Sequence, residues 1–223
     1  MRLVFASNNA HKLAEVKQIM PANVEVLSLR DIGFVHDIEE TGTTLEENSY
    51  IKASTVAAFI NDGLMNGDAA LNGESIDGVF ADDTGLEIDA LGGEPGVYTA
   101  RWYLLDEGAE EAKTDLENYA RNRAKALREL TGQTNRGCQF RTVITLIRIQ
   151  ESGVRSQDAT LQVSGIVRGR MATEEYGQGG FGYDPIFIPE GYDKTFGELP
   201  AELKNHISHR ARALAELVKL LNR

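Results

Sequence analysis

The chain has 223 residues, of which 42% are hydrophobic and 26% charged, and its formal net charge is −11. This composition is typical of a globular protein with a substantial core, and it excludes wholesale disorder. The acidic balance disfavours nucleic-acid binding, because the average surface field repels phosphates. No apolar run is long enough to span a membrane, no signal peptide is evident, and the single cysteine, Cys138, permits no internal disulfide. We therefore expect a cytoplasmic protein.

A strand, a polar loop and a helix are predicted at the start of the chain. Arg2 to Ala6 form the strand, and apolar residues recur at helical spacing from Leu13 to Met20. The loop between them, Ser7 to Lys12, has side chains that can cap the helix, whose exposed N–H groups together with Lys12 suit a phosphate. It lacks the glycines of a Walker or dinucleotide-binding loop. Helix capping beside a solvated lysine is the alternative interpretation.

A second strand, Val24 to Ser28, precedes an acidic loop and a helix. The loop runs from Ile38 to Thr44, and the helix is predicted from about Leu45 to Ile60. Thr44 and Glu47 fit a capping box, which gives Glu47 a structural role.

Glu39 and Glu40, in the same loop, have no such structural role. They are either solvated surface charges or candidates for a further carboxylate at a metal held by Asp83. Lys52, on the following helix, extends either to solvent or towards the same site.

The central stretch of the chain contains two adjacent carboxylates between apolar runs. Val79 to Ala81 indicate the end of a buried strand, Gly85 a turn, and Leu86 to Ile88 a strand that leaves it. Asp82 and Asp83 then lie at a strand end and point to opposite faces, so one can hold the loop while the other faces a cleft. An ordinary turn, whose aspartates accept backbone N–H groups, is the alternative.

Three segments around this stretch are predicted to have structural roles. Asn61 to Gly78 is rich in glycine, asparagine and aspartate and indicates a surface excursion. The glycines of Leu91 to Tyr98 indicate tight turns. Asp106 to Leu130, with apolar residues that include Leu116, is consistent with an amphipathic helix.

A long antiparallel hairpin is predicted after that helix. Its arms are Gly137 to Gln150 and Arg155 to Arg168, and its turn is Glu151 to Gly153. Because a hairpin breaks a pure βαβ alternation, the sheet should be mixed.

The last third of the chain contains a candidate ligand-binding loop and a cationic segment. Four glycines surround two aromatic residues within Gly177 to Pro189, so backbone can approach a flat ligand and a ring can stack on it. Leu203 to Arg210 carries cationic and donor groups ahead of an amphipathic helix, with Ser208 as a capping residue. A turn within the core and ordinary surface charge are the respective alternatives.

Six segments, taken in chain order, resemble the motifs of the inosine triphosphatase family of non-canonical purine nucleoside-triphosphate pyrophosphatases. They are residues 7–12, 39–42, 81–86, 91–96, 179–185 and 208–210. Each is weak alone, but six in the right order are specific, and they run from the first strand to the last helix. The first loop has Ser7-Asn8-Asn9 where the family commonly has Thr-Gly-Asn, and Thr84 stands where serine is more common.

The resemblance implies an α/β fold over residues 1–223 as a single domain. Its long mixed sheet would carry flanking helices and form two lobes around a central nucleotide cleft, usually in a homodimer. The implied reaction splits the α–β phosphoanhydride of inosine, deoxyinosine or xanthosine triphosphate with Mg²⁺, which suits hard oxygen ligands and a bridged polyphosphate.

The resemblance also assigns roles to particular residues. Asp83 would be catalytic and a metal ligand, and Glu39 the first choice for a further ligand, with Glu40 and Glu47 as rivals. The expected substrate-binding residues are Ser7, Asn8, Asn9, Ala10, His11, Lys12, Lys52, Thr84, Phe181, Gly182, Tyr183, Asp184, Lys204, His209 and Arg210.

Two other functions are compatible with these segments. A related pyrophosphatase group acts on pyrimidine or modified triphosphates, but its first loop is typically rich in serine and arginine, unlike Ser7 to Lys12. A nucleotide-binding sensor without turnover would use the same cations. An RNA-binding protein is disfavoured, since the chain has no basic stripe.

Overall fold

A computed structural model describes residues 1–65, 75–149 and 160–222. The chain divides into two compact units. Unit 1 comprises Met1–Asp83, Thr142–Gly165 and Ala213–Arg223, and unit 2 comprises Thr84–Arg141 and Ile166–Arg212. No helix in the described ranges is long and apolar enough to cross a membrane. The single domain and the central cleft expected from the sequence stay predictions.

The described residues form strands and helices that alternate along much of the chain. The strands are β1 (Arg2–Phe5), β2 (Glu25–Leu27), β3 (Gly78–Ile88), β4 (Pro95–Gly96), β5 (Gly137–Arg148), β6 (Thr160–Met171) and β7 (Phe187–Pro189). The helices are α1 (Ala10–Ile19), α2 (Leu45–Met65), α3 (Asp115–Glu129), α4 (Ala201–Ile207) and α5 (His209–Leu221).

The strands form a mixed sheet, as predicted. Their order is β2-β1-β3-β5-β6-β7, and β4 pairs with β3. β1 runs parallel to both β2 and β3, whereas β4 is antiparallel to β3 and β7 is antiparallel to β6. β5 and β6 are neighbours, in agreement with the predicted hairpin, whose turn at residues 151–153 lies outside the described residues.

In unit 1, helices pack against apolar residues that alternate along the strands. Phe80 belongs to a cluster with residues of α1 and α5, whereas Val79 and Ala81 belong to a cluster with residues of α2. Because successive strand residues point to opposite faces, Asp82 continues the series of Phe80, and Asp83 continues that of Val79 and Ala81. The two aspartates therefore face different helices.

Unit 2 has its own aromatic core. Phe187 lies between Phe140 and Phe196, with ring centroids 4.8 and 5.2 Å away, and α3 adds Ala126 to the same cluster. Cys138 is buried there, as predicted, and burial raises the pKa of its thiol to about 12.

The predicted interruption at the central acidic pair is wrong. β3 continues from Gly78 to Ile88, so Asp82 and Asp83 lie inside a strand and Gly85 is not a turn. Both aspartates are buried, with exposures of 1% and 7%. A strand tolerates them because each carboxylate meets a lysine, which the pattern of apolar residues does not reveal.

Two helix boundaries also differ from the sequence predictions. α2 continues to Met65 rather than ending near Ile60, and residues 66–74 of the predicted excursion lie outside the described residues. α3 begins at Asp115 rather than Asp106, and Leu116, predicted on its apolar face, is 77% exposed.

The later start of α3 is explained by its N-cap. Thr114 has extended backbone angles, and its side-chain oxygen accepts a hydrogen bond from Glu117 N at 3.2 Å. The Glu117 carboxylate in turn accepts from Lys113 N at 2.9 Å. The first of these bonds satisfies an N–H group that the first helical turn leaves without a partner, and the second ties the residue before the cap to the helix.

We expect Thr114→Ala to lower the free energy of unfolding by about 1 kcal/mol, because it removes an N-cap acceptor. Thr114→Ser keeps the hydroxyl and is the matched control, with a smaller loss. Denaturant unfolding of the three proteins measures the difference. Equal stability of the alanine variant and the wild type would show that this cap does not determine where α3 begins.

Candidate functional site

The loop before α1 is organised by its own polar side chains. Asn9 is the N-cap, and its Oδ1 accepts a hydrogen bond from Lys12 N at 3.0 Å, which confirms the capping prediction. Ser7 Oγ accepts from Asn9 N at 3.2 Å. Ala10 and His11, in the first turn, are exposed. The loop therefore places Lys12 in a defined position on α1.

Lys12 holds the first of the two central aspartates. Its Nζ donates to Asp82 Oδ1 at 2.9 Å, and the Lys12 side chain keeps 17% of its surface exposed. An ammonium group has three N–H donors, so it can contact a phosphate oxygen while it holds a carboxylate.

A second lysine, from α2, holds the other aspartate and one residue of the acidic loop. Lys52 Nζ donates to Asp83 Oδ1 at 3.1 Å and to Glu40 Oε1 at 2.8 Å. The two aspartates thus have different partners from different helices, as expected for neighbouring strand residues that point to opposite faces. That they have different functions stays a prediction.

Burial and charge shift the pKa values of this group. Burial raises the pKa of the Asp83 carboxyl; Lys52 and Lys12 oppose this effect, and Glu40 adds to it. For Lys52, burial lowers the pKa, but the Asp83, Glu40 and Asp82 carboxylates outweigh it and leave the pKa raised. Lys52 therefore stays a cation, and Asp83 binds a proton more tightly than an ordinary aspartate does.

One oxygen of this group has no assigned contact. Asp83 Oδ2 is buried and, among the described residues, has no hydrogen-bond partner. A buried acceptor without a donor is costly, and such atoms in native proteins usually meet a water, an ion or a ligand.

Of the acidic-loop glutamates considered as metal ligands, Glu40 lies with the buried pair. Glu47 accepts hydrogen bonds from Thr43 N and Thr44 N at 2.6 and 3.1 Å, as the capping box predicted, and these bonds lower the pKa of its carboxyl. Glu39 is exposed. The resemblance favoured Glu39, whereas the residues alone did not distinguish it from Glu40. The role of Glu39 as a metal ligand stays a prediction.

The residues present are compatible with Mg²⁺. The described residues contain no group of three or more His, Cys, Asp or Glu side chains arranged to hold a metal ion. Mg²⁺ usually takes only one or two carboxylates, and waters and substrate phosphates complete its coordination. Asp83, with its uncontacted Oδ2, and Glu40 fit that requirement.

Unit 2 contains a second cluster, built around the glycine-rich aromatic loop. Asp184 Oδ2 accepts from Phe181 N at 2.8 Å and from Lys204 Nζ at 2.6 Å. Gly180 has φ +71°, and a Cβ there would lie 1.9 Å from Asp184 Oδ2, so this turn requires glycine. Asp184 therefore folds the loop over itself and anchors a lysine of α4.

Cations from α4 and α5 lie near the ring of this loop. Lys204 Nζ is 4.7 Å and the Arg210 guanidinium carbon 5.8 Å from the Phe181 ring centroid. His209 stacks on Phe140 with a centroid distance of 4.7 Å. Lys204, His209 and Arg210 are all buried, so the alternative of ordinary surface charge is wrong for them.

Other expected binding residues have structural contacts. The Tyr183 hydroxyl donates to Thr99 O at 2.9 Å, and burial raises its pKa. Asn8 Nδ2 lies 3.5 Å from Asp37 Oδ1, and Thr84 is partly buried in β3. Their contacts with a substrate stay predictions.

Sequence reasoning missed the contribution of α3. Arg123 Nη1 donates to Gly182 O at 2.9 Å, and the Tyr119 ring centroid lies 6.1 Å from that of Phe181. The sequence showed only an amphipathic period in this segment, and such a period does not indicate which of its residues contact a loop that is distant in sequence.

The structure thus brings the predicted residues together in two groups. Unit 1 contains the cationic and acidic group of Lys12, Glu40, Lys52, Asp82 and Asp83, which we call the carboxylate–lysine cluster. Unit 2 contains the group of Phe181, Asp184, Lys204, His209 and Arg210, which we call the aromatic–cation cluster.

Two curated relatives align with almost the whole chain. A dITP/XTP pyrophosphatase of Flavobacterium johnsoniae is 41% identical over 221 residues, which cover 99% of this chain and 98% of the relative. A dITP/XTP pyrophosphatase of Bacillus subtilis is 42% identical over 221 residues, covering 98% and 96%.

Solved structures and a family model agree with these alignments. The Ham1 protein of Staphylococcus aureus matches with a TM-score of 0.76 and 36% identity, covering 100% of this chain and 98% of that one. The model of the Ham1 family matches residues 3–220. The family model matches nearly every residue of the chain, and the curated relatives are about 40% identical to it. The chain therefore belongs to the Ham1 family.

Proposed function

We propose that this protein hydrolyses non-canonical purine nucleoside triphosphates, namely dITP, XTP and ITP, to the monophosphate and pyrophosphate. Relatives named dITP/XTP pyrophosphatases align over nearly the full chain. The observation that carries the proposal is the buried Asp83, whose Oδ1 meets Lys52 and whose Oδ2 is left without a partner among the described residues. That is a carboxylate prepared for a water molecule beside cations suited to phosphates.

The carboxylate–lysine cluster takes the triphosphate. Lys12 and Lys52 neutralise phosphate charge, and the N-terminus of α1 adds backbone N–H donors. These cations are fixed by Asp82, Asp83 and Glu40, so little reorganisation accompanies binding.

Asp83 orients the attacking water and accepts its proton. The water oxygen forms a bond to the α-phosphorus, the bond from that phosphorus to the bridging oxygen breaks, and pyrophosphate leaves. Because burial raises the pKa of Asp83, this carboxylate is a better base than an exposed aspartate, and it also positions the water.

Mg²⁺ is the cofactor that we propose for this cluster. Asp83 and Glu40 would hold it, with Glu39 as the alternative ligand implied by the resemblance. When bound, such an ion neutralises phosphate charge and polarises phosphoryl oxygens.

The aromatic–cation cluster recognises the purine. Phe181 stacks on the base, and Lys204, His209 and Arg210 supply donors to its 6-oxo edge. A 6-amino group, as in adenine, would leave such buried donors without an acceptor, which costs orders of magnitude in rate. Asp184 is expected to accept from a ring N–H, and its contacts with Phe181 N and Lys204 fix it for that purpose. A homodimer and a cytoplasmic location are further parts of this proposal.

A triphosphate panel tests the function directly. With Mg²⁺ present, we expect dITP, ITP and XTP to give monophosphate plus pyrophosphate, at rates at least about 100-fold above those of ATP, since a donor-lined site discriminates strongly. Products are identified by chromatography. Diphosphate plus phosphate would indicate a different reaction, and binding without products would indicate a sensor.

Asp83→Asn removes the proposed base at nearly constant volume. We expect turnover of inosine triphosphate to fall by at least about 100-fold, as general-base losses do. Asp62→Asn, which changes an exposed carboxylate on α2, is the matched control and should keep full activity. Near-normal hydrolysis by the Asp83 variant would reject its catalytic role.

The stability of Asp83→Asn provides a second test. The folded-state pKa of Asp83 lies above its ordinary value of 3.8, so its stabilising contribution is present below that pH and is lost as pH rises through the folded-state value. At pH 7 we therefore expect Asp83→Asn to melt no lower than the wild type, with the difference closing towards pH 4. A clear fall in Tm at pH 7 would show that the pair with Lys52 outweighs the cost of burial.

Arg210→Ala tests base recognition. We expect it to lower kcat/KM for inosine triphosphate by at least about tenfold and to narrow the preference over ATP, since a buried donor to the 6-oxo group is lost. Arg212→Ala, an exposed arginine on the same helix, is the control. An unchanged preference in the Arg210 variant would count against the role.

A further inference from the structure

The acidic loop is attached to α2 by a buried asparagine that the proposed chemistry does not use. Asn48 is completely buried, and its Oδ1 accepts a hydrogen bond from Gly42 N at 2.8 Å. A Cβ on Gly42 would lie 2.6 Å from that oxygen and 2.7 Å from Glu47 Cβ. The contact is so close that only glycine fits.

Helix capping does not explain Asn48. Thr44 and Glu47 already form the capping box of α2. Asn48 Nδ2 is buried and, within the described ranges, lacks a hydrogen-bond partner, so the residue carries a desolvation cost that an apolar side chain would avoid. A costly amide at this position indicates a role other than stability.

The position of Asn48 relates the loop to the carboxylate–lysine cluster. Asn48 and Lys52 are four residues apart in α2, so they share one face of the helix. Asn48 holds Gly42, and Lys52 holds Glu40, two residues earlier in the same loop. One helix face therefore fixes the loop at two points.

We propose that Asn48 is a positioning residue that sets the Glu40 carboxylate beside Lys52 and Asp83. It acts through the loop and does not touch the reacting atoms. The inference rests on the proposed function, because it assigns Glu40 to the site of phosphate and metal binding.

Loss of the Asn48 oxygen should release the loop and thereby weaken the contribution of Glu40. Asn48→Leu keeps the branched shape of the side chain but lacks the acceptor, and Gly42→Ala disturbs the same contact from the loop side. We expect each to lower kcat/KM by at least tenfold and to raise the Mg²⁺ concentration needed for half-maximal activity. Ser54→Ala, which removes a polar side chain further along α2, is the control and should change neither.

Amide hydrogen exchange followed by NMR tests the contact without nucleotide or metal. We expect the Gly42 amide to exchange at least tenfold faster in Asn48→Leu, while the amide of Val56, in the centre of α2, keeps its protection. Unchanged exchange at Gly42 would overturn the proposal. Should Asn48→Leu fail to fold, Gly42→Ala is measured in its place.

A double-mutant comparison tests whether Asn48 acts through Glu40. In a Glu40→Gln background, adding Asn48→Leu should cause no further loss of kcat/KM, because the residue that it positions is already neutral. A full additional tenfold loss would overturn the positioning role. A wild-type protein that releases no pyrophosphate would refute the proposed function instead, and hydrogen exchange would still decide whether Asn48 holds the loop.

Discussion

The neutralisation of two adjacent carboxylates inside one strand constrains how α1 and α2 pack on the sheet in unit 1. Asp82 and Asp83 lie in β3, and a strand necessarily turns them to opposite faces. Each therefore needs its own cation, which Lys12 supplies from α1 and Lys52 from α2. A buried carboxylate that loses its lysine is left uncompensated, which typically costs about 3–5 kcal/mol, so both helices have to keep their register on the sheet.

The same ion pairs explain why the strand carries charge at all. Apolar residues at these positions would pack against α1 and α2 without any cost of desolvation. Phe80 and Ala81, which precede Asp82 and Asp83 by two residues on the same two faces of β3, pack in this way. The raised pKa of Asp83 shows that its charge is only partly compensated. Carboxylates with perturbed pKa values are common at functional sites, which is why we place the proposed reaction at Asp83.

Much of the fold could be predicted from the sequence, because caps and hairpins depend on local patterns. The caps at Asn9 and Thr44 and the mixed sheet were visible in this way. The continuity of β3 was not visible, because two aspartates followed by a glycine resemble a turn. The lysines that compensate the aspartates are distant in sequence and could not be identified from the local pattern. The contact of Glu40 with Lys52 and the exposure of its neighbour Glu39 were not visible in the sequence either. The support of Gly182 by Arg123 joins residues 59 positions apart.

The buried thiol of Cys138 can be used to detect unfolding of unit 2. It is the only cysteine in the sequence, it lies in the aromatic core of unit 2, and its pKa of about 12 keeps it protonated at physiological pH. Thiolate is the reactive form, so alkylating reagents and oxidants have no target in the native state. Modification of this sulfur therefore reports the opening of the core around β5.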